Sequence, residues 1–106
     1  MSDNYKDNIN SPLLDLFRTE IRDQGKILTE GLLVLEEDPA SAERLEALMR
    51  AAHSVKGAAR LVGAEPVVCL AHEIEEVFVA AQNSKVMLNP DSIDTLLKGV
   101  DMITAI

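Results

Sequence analysis

The sequence predicts an all-α fold, an antiparallel up-down four-helix bundle. Four stretches of the 106-residue chain place apolar residues at steps of three and four, which is the spacing of one helix face. A proline stands at or near the start of each stretch, where helices favour it. No stretch shows the sustained alternation that is typical of strands. Because the connections are short, we expect sequential helices to be antiparallel neighbours.

The first helix is predicted to begin at Ser11-Pro12 and to run to about Glu37. Serine is a good N-cap residue, and proline is favoured at the first helical position. At 1.5 Å per residue the helix would be about 39 Å long. Gly25 and Gly31 weaken it locally and permit close packing. Its apolar stripe comprises Leu14, Phe17, Ile21, Leu28, Leu32 and Leu35.

Three more helices follow, and each is predicted to start at a residue-proline pair: Asp38-Pro39, Glu65-Pro66 and Asn89-Pro90. Gly63 is expected to end the second helix, and residues 83–87 to separate the third from the fourth. Their inward stripes comprise Leu45, Leu48, Met49, Ala52, Val55, Ala59 and Val62; Val67, Leu70, Ala71, Ile74, Val77, Phe78 and Ala81; and Ile93, Leu96, Leu97, Val100 and Ile103.

Length, charge and cysteine content limit the classes of function. We expect residues 11–106 to form one domain and residues 1–10 to be a flexible N-terminal segment. The net charge of −8 argues against nucleic-acid binding, and no apolar run approaches the roughly 20 residues that cross a bilayer. The single cysteine, Cys69, excludes an internal disulfide and a cysteine-cluster metal site, and is predicted to lie in the core. A cytoplasmic protein fits best.

One face of the second helix carries a histidine, two cations and a glycine: His53, Lys56, Gly57 and Arg60. We expect this face to point outward, away from the apolar stripe. A neutral imidazole can attack phosphorus, and a lysine one turn away is suited to stabilising phosphoryl oxygens. Gly57, at a cost of about 1 kcal/mol relative to alanine, leaves space beside the imidazole. The alternative is a solvated helix face with an incidental histidine.

The third helix carries a second pair of polar residues, His72 and Glu75, beside its apolar stripe. A carboxylate at the edge of a helix–helix seam is placed to accept the ring N–H of a histidine on the neighbouring helix, which fixes the tautomer. Alternatively, His72 is a histidine at the core boundary and Glu75 is one of several surface acids.

Other kinds of site are not indicated. The sequence has no glycine-rich phosphate loop, so we expect no ATP site in this domain. Residues 72–76, HEIEE, lack the second histidine of the zinc-binding pattern H-E-x-x-H. We therefore expect neither a metal nor a cofactor.

The segment AAHSVKGAA, residues 51–59, resembles the histidine phosphotransfer (HPt) motif H-S/T-x-K-G. The sequence around it is similar to the first (P1) domain of CheA-type chemotaxis histidine kinases. LAHEIE, residues 70–75, resembles that family's H-x-x-E segment at the expected distance downstream. The resemblance covers roughly residues 13–106. Residues 56–63, followed by 78–82, also resemble CheA-like hybrid kinases of surface-sensing (Wsp-type) pathways.

The resemblance implies a role for each residue of the two motifs. His53 would accept a phosphoryl group through Nε2, while Glu75 hydrogen-bonds Nδ1. Lys56 would lie beside the phosphoryl group, Gly57 would keep the approach open, and His72 would support the site. Arg60 departs from the small residue often found there in chemotaxis kinases, and is expected to add positive charge to the docking face. The family's domain often has a fifth helix; we expect it to be absent from this chain, which would then be a fragment of a longer kinase.

The function implied is that of a phosphotransfer domain of a CheA-like two-component sensor kinase. An ATP- and Mg-dependent kinase domain would phosphorylate His53, and a response-regulator receiver domain would take the group onto an aspartate. The partners expected are these two domains, with no nucleic acid and no membrane, and the fragment is expected to be monomeric. A free-standing HPt relay protein and a non-catalytic helical interaction module are the alternatives.

Overall fold

Four helices make up the computed structural model of the chain, which describes residues 11–105. They are α1 (Ser11–Leu35), α2 (Ala42–Leu61), α3 (Glu65–Gln82) and α4 (Pro90–Thr104). The described range contains no strand, so the predicted all-α fold is confirmed. The predicted flexible segment 1–10 lies outside the described residues. None of the four helices is long and apolar enough to cross a membrane.

The four helices are arranged as a square bundle. Helix α1 packs against α2 and α4, and α3 packs against α2 and α4, while no Cα atoms of the diagonal helices within residues 11–105 approach within 8 Å of each other. The bundle measures 49 × 20 × 20 Å. The line of contact between α2 and α3 (the α2/α3 seam) and that between α1 and α4 (the α1/α4 seam) therefore lie on opposite sides of the molecule.

The core is built from aliphatic side chains and two aromatic ones, Phe17 and Phe78. Most residues of the predicted stripes are buried, and fully burying a leucine or isoleucine side chain contributes about 1.5–3 kcal/mol. Leu14 is only half-buried. The close approach of α1 to its neighbours requires glycine at two positions. Thr104 of α4 packs directly on Gly25, and a Cβ on Gly31 would lie 2.7 Å from Cδ2 of Leu48 on α2. The expectation that these glycines permit close packing is confirmed.

Two predicted helix ends need correction, both near Asp38-Pro39. Helix α1 ends at Leu35 rather than Glu37, and α2 begins after Ser41. The Ser41 N–H donates to the Asp38 carbonyl at 3.1 Å, which closes a β-turn with Pro39 in its second position. That position favours proline as strongly as a helix start does. Ser41 is the N-cap instead, and its Oγ accepts the Arg44 N–H at 3.3 Å.

The other helix ends agree with the sequence. Gly63 follows α2 with φ of 73°, a left-handed conformation that glycine adopts without strain. Helix α3 begins at Glu65 with proline in its first turn, and ends at Gln82 just before the predicted break. Asn89 caps α4 because its side chain accepts the Ser92 N–H at 2.8 Å.

The prediction for Cys69 was wrong, because its side chain is exposed on α3. Its sequence neighbours are apolar, but adjacent residues of a helix point about 100° apart. Val68 is buried, and Leu70 is half-buried beside Gly99 of α4, while Cys69 is exposed.

Candidate functional site

The candidate site lies on the α2/α3 seam, midway along both helices. His53 on α2 and Glu75 on α3 are joined by a hydrogen bond between Nδ1 and Oε2, 2.8 Å apart. The His53 side chain is 65% exposed, whereas that of Glu75 is 11% exposed. The contact that the sequence predicted between the two helices is therefore present, with an accessible ring held by a largely buried carboxylate.

This hydrogen bond determines which imidazole nitrogen is free to react. An ionised carboxylate can only accept a hydrogen bond, so Nδ1 must carry the proton. In the neutral ring Nε2 then holds the lone pair. Nε2 makes no hydrogen bond with any residue in the range 11–105. The geometry thus presents an unprotonated nitrogen on an exposed ring, which is the form that a nucleophile requires.

Lys56 does not point outward, contrary to the sequence prediction. Its side chain is 11% exposed, and Nζ lies 2.6 Å from Oε1 of Glu75. Lys56 follows the buried Ala52 by four positions, so the two side chains lie only about 40° apart around the helix axis. The predicted face of α2 therefore has one exposed edge, at His53, and one buried edge, at Lys56. The aliphatic stem of Lys56 therefore enters the seam, and its ammonium meets the carboxylate there.

Glu75 uses its two oxygens for two different partners. Oε1 is buried without a hydrogen bond of good geometry, and the adjacent Lys56 ammonium compensates its charge. Burial by itself raises the pKa of the Glu75 carboxyl. The adjacent ammonium of Lys56 and the N–H of His53 both stabilise the ionised form, outweigh burial and hold that pKa below its ordinary value. Glu75 is consequently a fixed anion at neutral pH, able to orient the ring and to stabilise positive charge on it.

The other predicted site residues lie on the surface around His53, Glu75 and Lys56. Gly57 is exposed, and a Cβ there would meet nothing within 4 Å, so it leaves open space one turn from His53. Arg60 is exposed, and its guanidinium forms no ion pair within the described range. The predicted basic pair of Lys56 and Arg60 is therefore reduced to Arg60 alone on the exposed face.

His72 is exposed on α3 and, among residues 11–105, makes no hydrogen bond or ion pair. It does not contact the His53–Glu75 pair through a polar bond, and its supporting role remains a prediction. No group of three or more histidine, cysteine, aspartate or glutamate side chains in this range is placed to hold a metal ion.

The Lys56–Glu75 ion pair is the one feature of the site that sequence reasoning missed. A signal for it was available in the spacing. Once His53 faces Glu75 across antiparallel helices, Lys56 is nearly one turn further along α2 and closer to the core, within reach of the same carboxylate. The sequence predicts an exposed face because the apolar residues of α2, Ala52, Val55 and Ala59, occupy a different one.

The structure is a four-helix bundle with an accessible histidine that is hydrogen-bonded to a carboxylate and has a glycine one turn away. This arrangement is the one expected of a small helical domain that presents a histidine to a partner. The family model described as "Hpt domain" matches residues 12–106. The chain belongs to the Hpt (histidine phosphotransfer) domain family, as the resemblance in the sequence implied.

Known proteins that are similar to the chain agree with this assignment. Chemotaxis protein CheA of Borreliella burgdorferi is 34% identical over 89% of the chain, and that of Treponema pallidum is 33% identical over 99%. The chain spans only 11% and 13% of the length of these relatives. The solved CheA phosphotransferase domain of Thermotoga maritima matches with a TM-score of 0.85 and 33% identity, over 91% of this chain and 93% of that one.

Proposed function

We propose that His53 accepts a phosphoryl group from a CheA-type kinase domain and passes it to an aspartate of a response-regulator receiver domain. The observation that carries this proposal is the 2.8 Å bond from His53 Nδ1 to Glu75, which leaves Nε2 as the exposed nucleophile. The similarity to CheA proteins supports it, and names the kind of kinase from which the phosphoryl group would come.

The chemistry follows from the tautomer. The Nε2 lone pair of His53 attacks the γ-phosphorus of ATP, an N–P bond forms, and the bond to the ADP oxygen breaks. Positive charge develops on the ring while Nδ1 keeps its proton, and the Glu75 carboxylate stabilises that charge. In the second step an aspartate oxygen of the receiver attacks phosphorus, the N–P bond breaks, and the neutral imidazole is restored.

The remaining residues have subsidiary roles in this proposal. Lys56 holds Glu75 in place and is the cation nearest to the phosphoryl group, Gly57 gives the bulky partner room, and Arg60 faces the docking domain. His72 supports the same surface. ATP and Mg would be bound by the kinase domain, and we place the reaction in the cytoplasm, where ATP is available.

Two alternatives are distinguished by one experiment. The chain would be incubated with a CheA-type catalytic domain and radiolabelled ATP, and then with a receiver domain. We expect acid-labile, base-stable label on the wild-type chain and on His72→Gln, and none on His53→Gln. A non-catalytic interaction module would take up no label at all. A free-standing relay protein would also stay unlabelled there, and would take up label only in a second arm of the experiment that supplies the labelled, phosphorylated receiver of a hybrid kinase.

His53→Gln is a fair test because it should not unfold the bundle. The ring is 65% exposed, so its loss removes little packing. Circular dichroism of the variant should match that of the wild type. Uptake of label by a folded His53→Gln protein would show that the acceptor has been misassigned.

A further inference from the structure

Two large apolar side chains that are exposed to solvent meet where α1 packs on α2. Leu16 of α1 is 67% exposed, and Leu61 of α2 is 73% exposed. Both line one shallow depression of about 270 Å³, together with the half-buried Ala58. A single exposed leucine is ordinary on a protein surface, but a pair from two helices that borders one depression forms an apolar patch. Leu16 and Leu61 are called the leucine patch.

The leucine patch is continuous with the surface that carries His53. His53, Gly57 and Leu61 follow one another at steps of four along α2, so Leu61 is about 12 Å from His53 along the helix axis. A partner that buries an ordinary area of about 800 Å² covers the surface to roughly 16 Å from the centre of its contact. A domain that meets His53 and extends toward α1 therefore reaches the leucine patch as well.

The hydrogen bond at Nδ1 determines the side from which a partner reaches His53. The two nitrogens of an imidazole ring point in nearly opposite directions. Because Nδ1 points at Glu75 on α3, Nε2 points away from α3. A phosphorus atom that is transferred to or from Nε2 lies along that direction. The domain that carries it approaches over α2 and the other neighbour of α2, which is α1.

Exposed apolar side chains are distributed around His53 in the same way. Within residues 65–82, helix α3 has no large apolar side chain that is exposed. On the other side of His53, the leucine patch is joined by the exposed Ile27 of α1, which lies beside Ala51 of α2. Two independent features, the direction of Nε2 and the location of exposed apolar surface, therefore select the same side of the bundle.

We propose that a receiver domain docks across α1 and α2 and places apolar side chains of its own on the leucine patch. This inference rests on the proposed function, because it takes the receiver as the acceptor from phosphorylated His53. An aspartate side chain is short, so the receiver surface must lie against α2 for its carboxylate to reach phosphorus. A kinase domain need not come so close, since the triphosphate of ATP extends from it. The leucine patch then determines how tightly the receiver is held, whereas exposed charge affects how fast it associates.

The test compares two double variants that each replace two exposed apolar residues. Leu16→Ser/Leu61→Ser removes the leucine patch. Met87→Ser/Met102→Ser is the matched control, because these side chains are 68% and 65% exposed and lie outside α1 and α2. Each phosphorylated chain would be mixed with increasing concentrations of a chemotaxis-type receiver domain in a rapid-quench instrument. We expect KM for the receiver to rise about tenfold in the leucine variant with kcat nearly unchanged, and neither constant to change more than about twofold in the control.

A second measurement locates the receiver without phosphoryl transfer. The ¹⁵N-labelled, unphosphorylated wild-type chain would be titrated with the same receiver domain, and its amide chemical shifts recorded. We expect the shift changes to centre on α1 and α2, around His53 and the leucine patch. Exposed residues of α3 such as Cys69 and Glu73 should be unaffected.

The outcomes separate this proposal from the proposed function. A wild-type chain that takes up no label from the kinase domain contradicts phosphotransfer, while the shift changes still locate the docked receiver. Normal labelling with equal KM in the two double variants, shift changes centred on α3, or no shift changes at millimolar receiver would each overturn the docking surface. Slower labelling of the leucine variant with unchanged transfer to the receiver would assign the patch to the kinase domain instead. Thermal unfolding checks that both variants remain folded.

Discussion

The two oxygens of Glu75 explain why the site needs both a histidine and a lysine partner. A carboxylate that is 89% buried is costly unless it is paired, and a neutral His53 ring offers it only an N–H. Lys56 supplies the full positive charge on the other oxygen. The ion pair thus permits a buried anion to lie behind the exposed ring of His53.

Replacing Glu75 by glutamine tests the role of the carboxylate at nearly constant shape. The amide has no charge to stabilise the phosphorylated ring, and its NH₂ group can donate to Nδ1, which favours the tautomer with the proton on Nε2. We expect phosphoryl uptake to slow by about 10- to 100-fold, and ¹⁵N chemical shifts to report more protonated Nε2. Unchanged shifts together with an unchanged rate would separate Glu75 from the chemistry.

Replacing Lys56 by methionine should destabilise the bundle, because it leaves a buried carboxylate unpaired. The expected loss is on the order of 3 kcal/mol in the free energy of unfolding, measured with urea. The double variant Lys56→Met/Glu75→Gln should recover most of it, since no uncompensated charge remains. Arg60→Met, at an exposed position of the same helix, is the control and should change stability by less than about 0.5 kcal/mol. Additive losses in the double variant would contradict the pairing.

The lowered pKa of Glu75 predicts how this stabilisation depends on pH. A carboxyl whose pKa is lower in the folded than in the unfolded chain stabilises the fold above the ordinary value of 4.5. That contribution is lost as the pH falls through the lower, folded-state pKa. The stability advantage of the wild type over Glu75→Gln should therefore shrink as the pH falls below about 4.5. An advantage that grew as the pH was lowered further below this value would contradict a lowered pKa of Glu75.

At the scale of single helices, the apolar stripes were predictable from the sequence, whereas the helix boundaries near Asp38-Pro39 and the burial of Lys56 were not. Spacing of three and four identified all four helices because only one face of each contacts the core. Asp38-Pro39 was ambiguous, since a β-turn and a helix start favour the same residues, and the hydrogen bond from Ser41 to Asp38 decided between them. The burial of Lys56 could not be read from helix periodicity alone, because it depends on a carboxylate that the neighbouring helix supplies.

Two glycines in helix interiors should respond oppositely to alanine. Gly57→Ala gains helix propensity and meets nothing within 4 Å, so we expect stabilisation by about 0.5–1 kcal/mol. Gly31→Ala gains the same propensity but places Cβ 2.7 Å from Leu48 Cδ2, so the core must shift and we expect a net loss of about 1 kcal/mol. Urea unfolding of both variants measures the difference. A shift of the same sign in both would mean that packing on Leu48 is not limiting.

At the scale of the whole molecule, short connections made the His53–Glu75 contact predictable. Antiparallel neighbours in an up-down bundle bring the middle of α2 beside the middle of α3, and this register follows from the tight turn at Gly63. The charge distribution was harder to predict. Pairing with Glu75 removes Lys56 from the exposed positive charge, because the carboxylate that holds it belongs to the neighbouring helix.

Phosphoryl transfer to a receiver would require this acidic molecule to meet an acidic partner. With a net charge of −8, the chain should be repelled by the acidic phosphorylation pocket expected of a receiver. Arg60 is exposed on the helix that carries His53 and forms no ion pair within residues 11–105, whereas the exposed Arg50 is paired with Glu46 at 2.7 Å. Arg60→Glu should slow transfer mainly by slowing association, since peripheral charges steer encounters more than they hold complexes.

A salt series separates this steering from a steric effect. Charge effects are screened over about 10 Å at 0.1 M salt, so the defect of Arg60→Glu should shrink as salt rises. Gly57→Leu is the matched comparison on the same face, because its side chain would fill the space beside His53 at any ionic strength. Rapid-quench transfer rates to a receiver would be measured for both variants. Equal salt dependence in the two would contradict this division, and wild-type rates in both would mean that the receiver approaches His53 from another side.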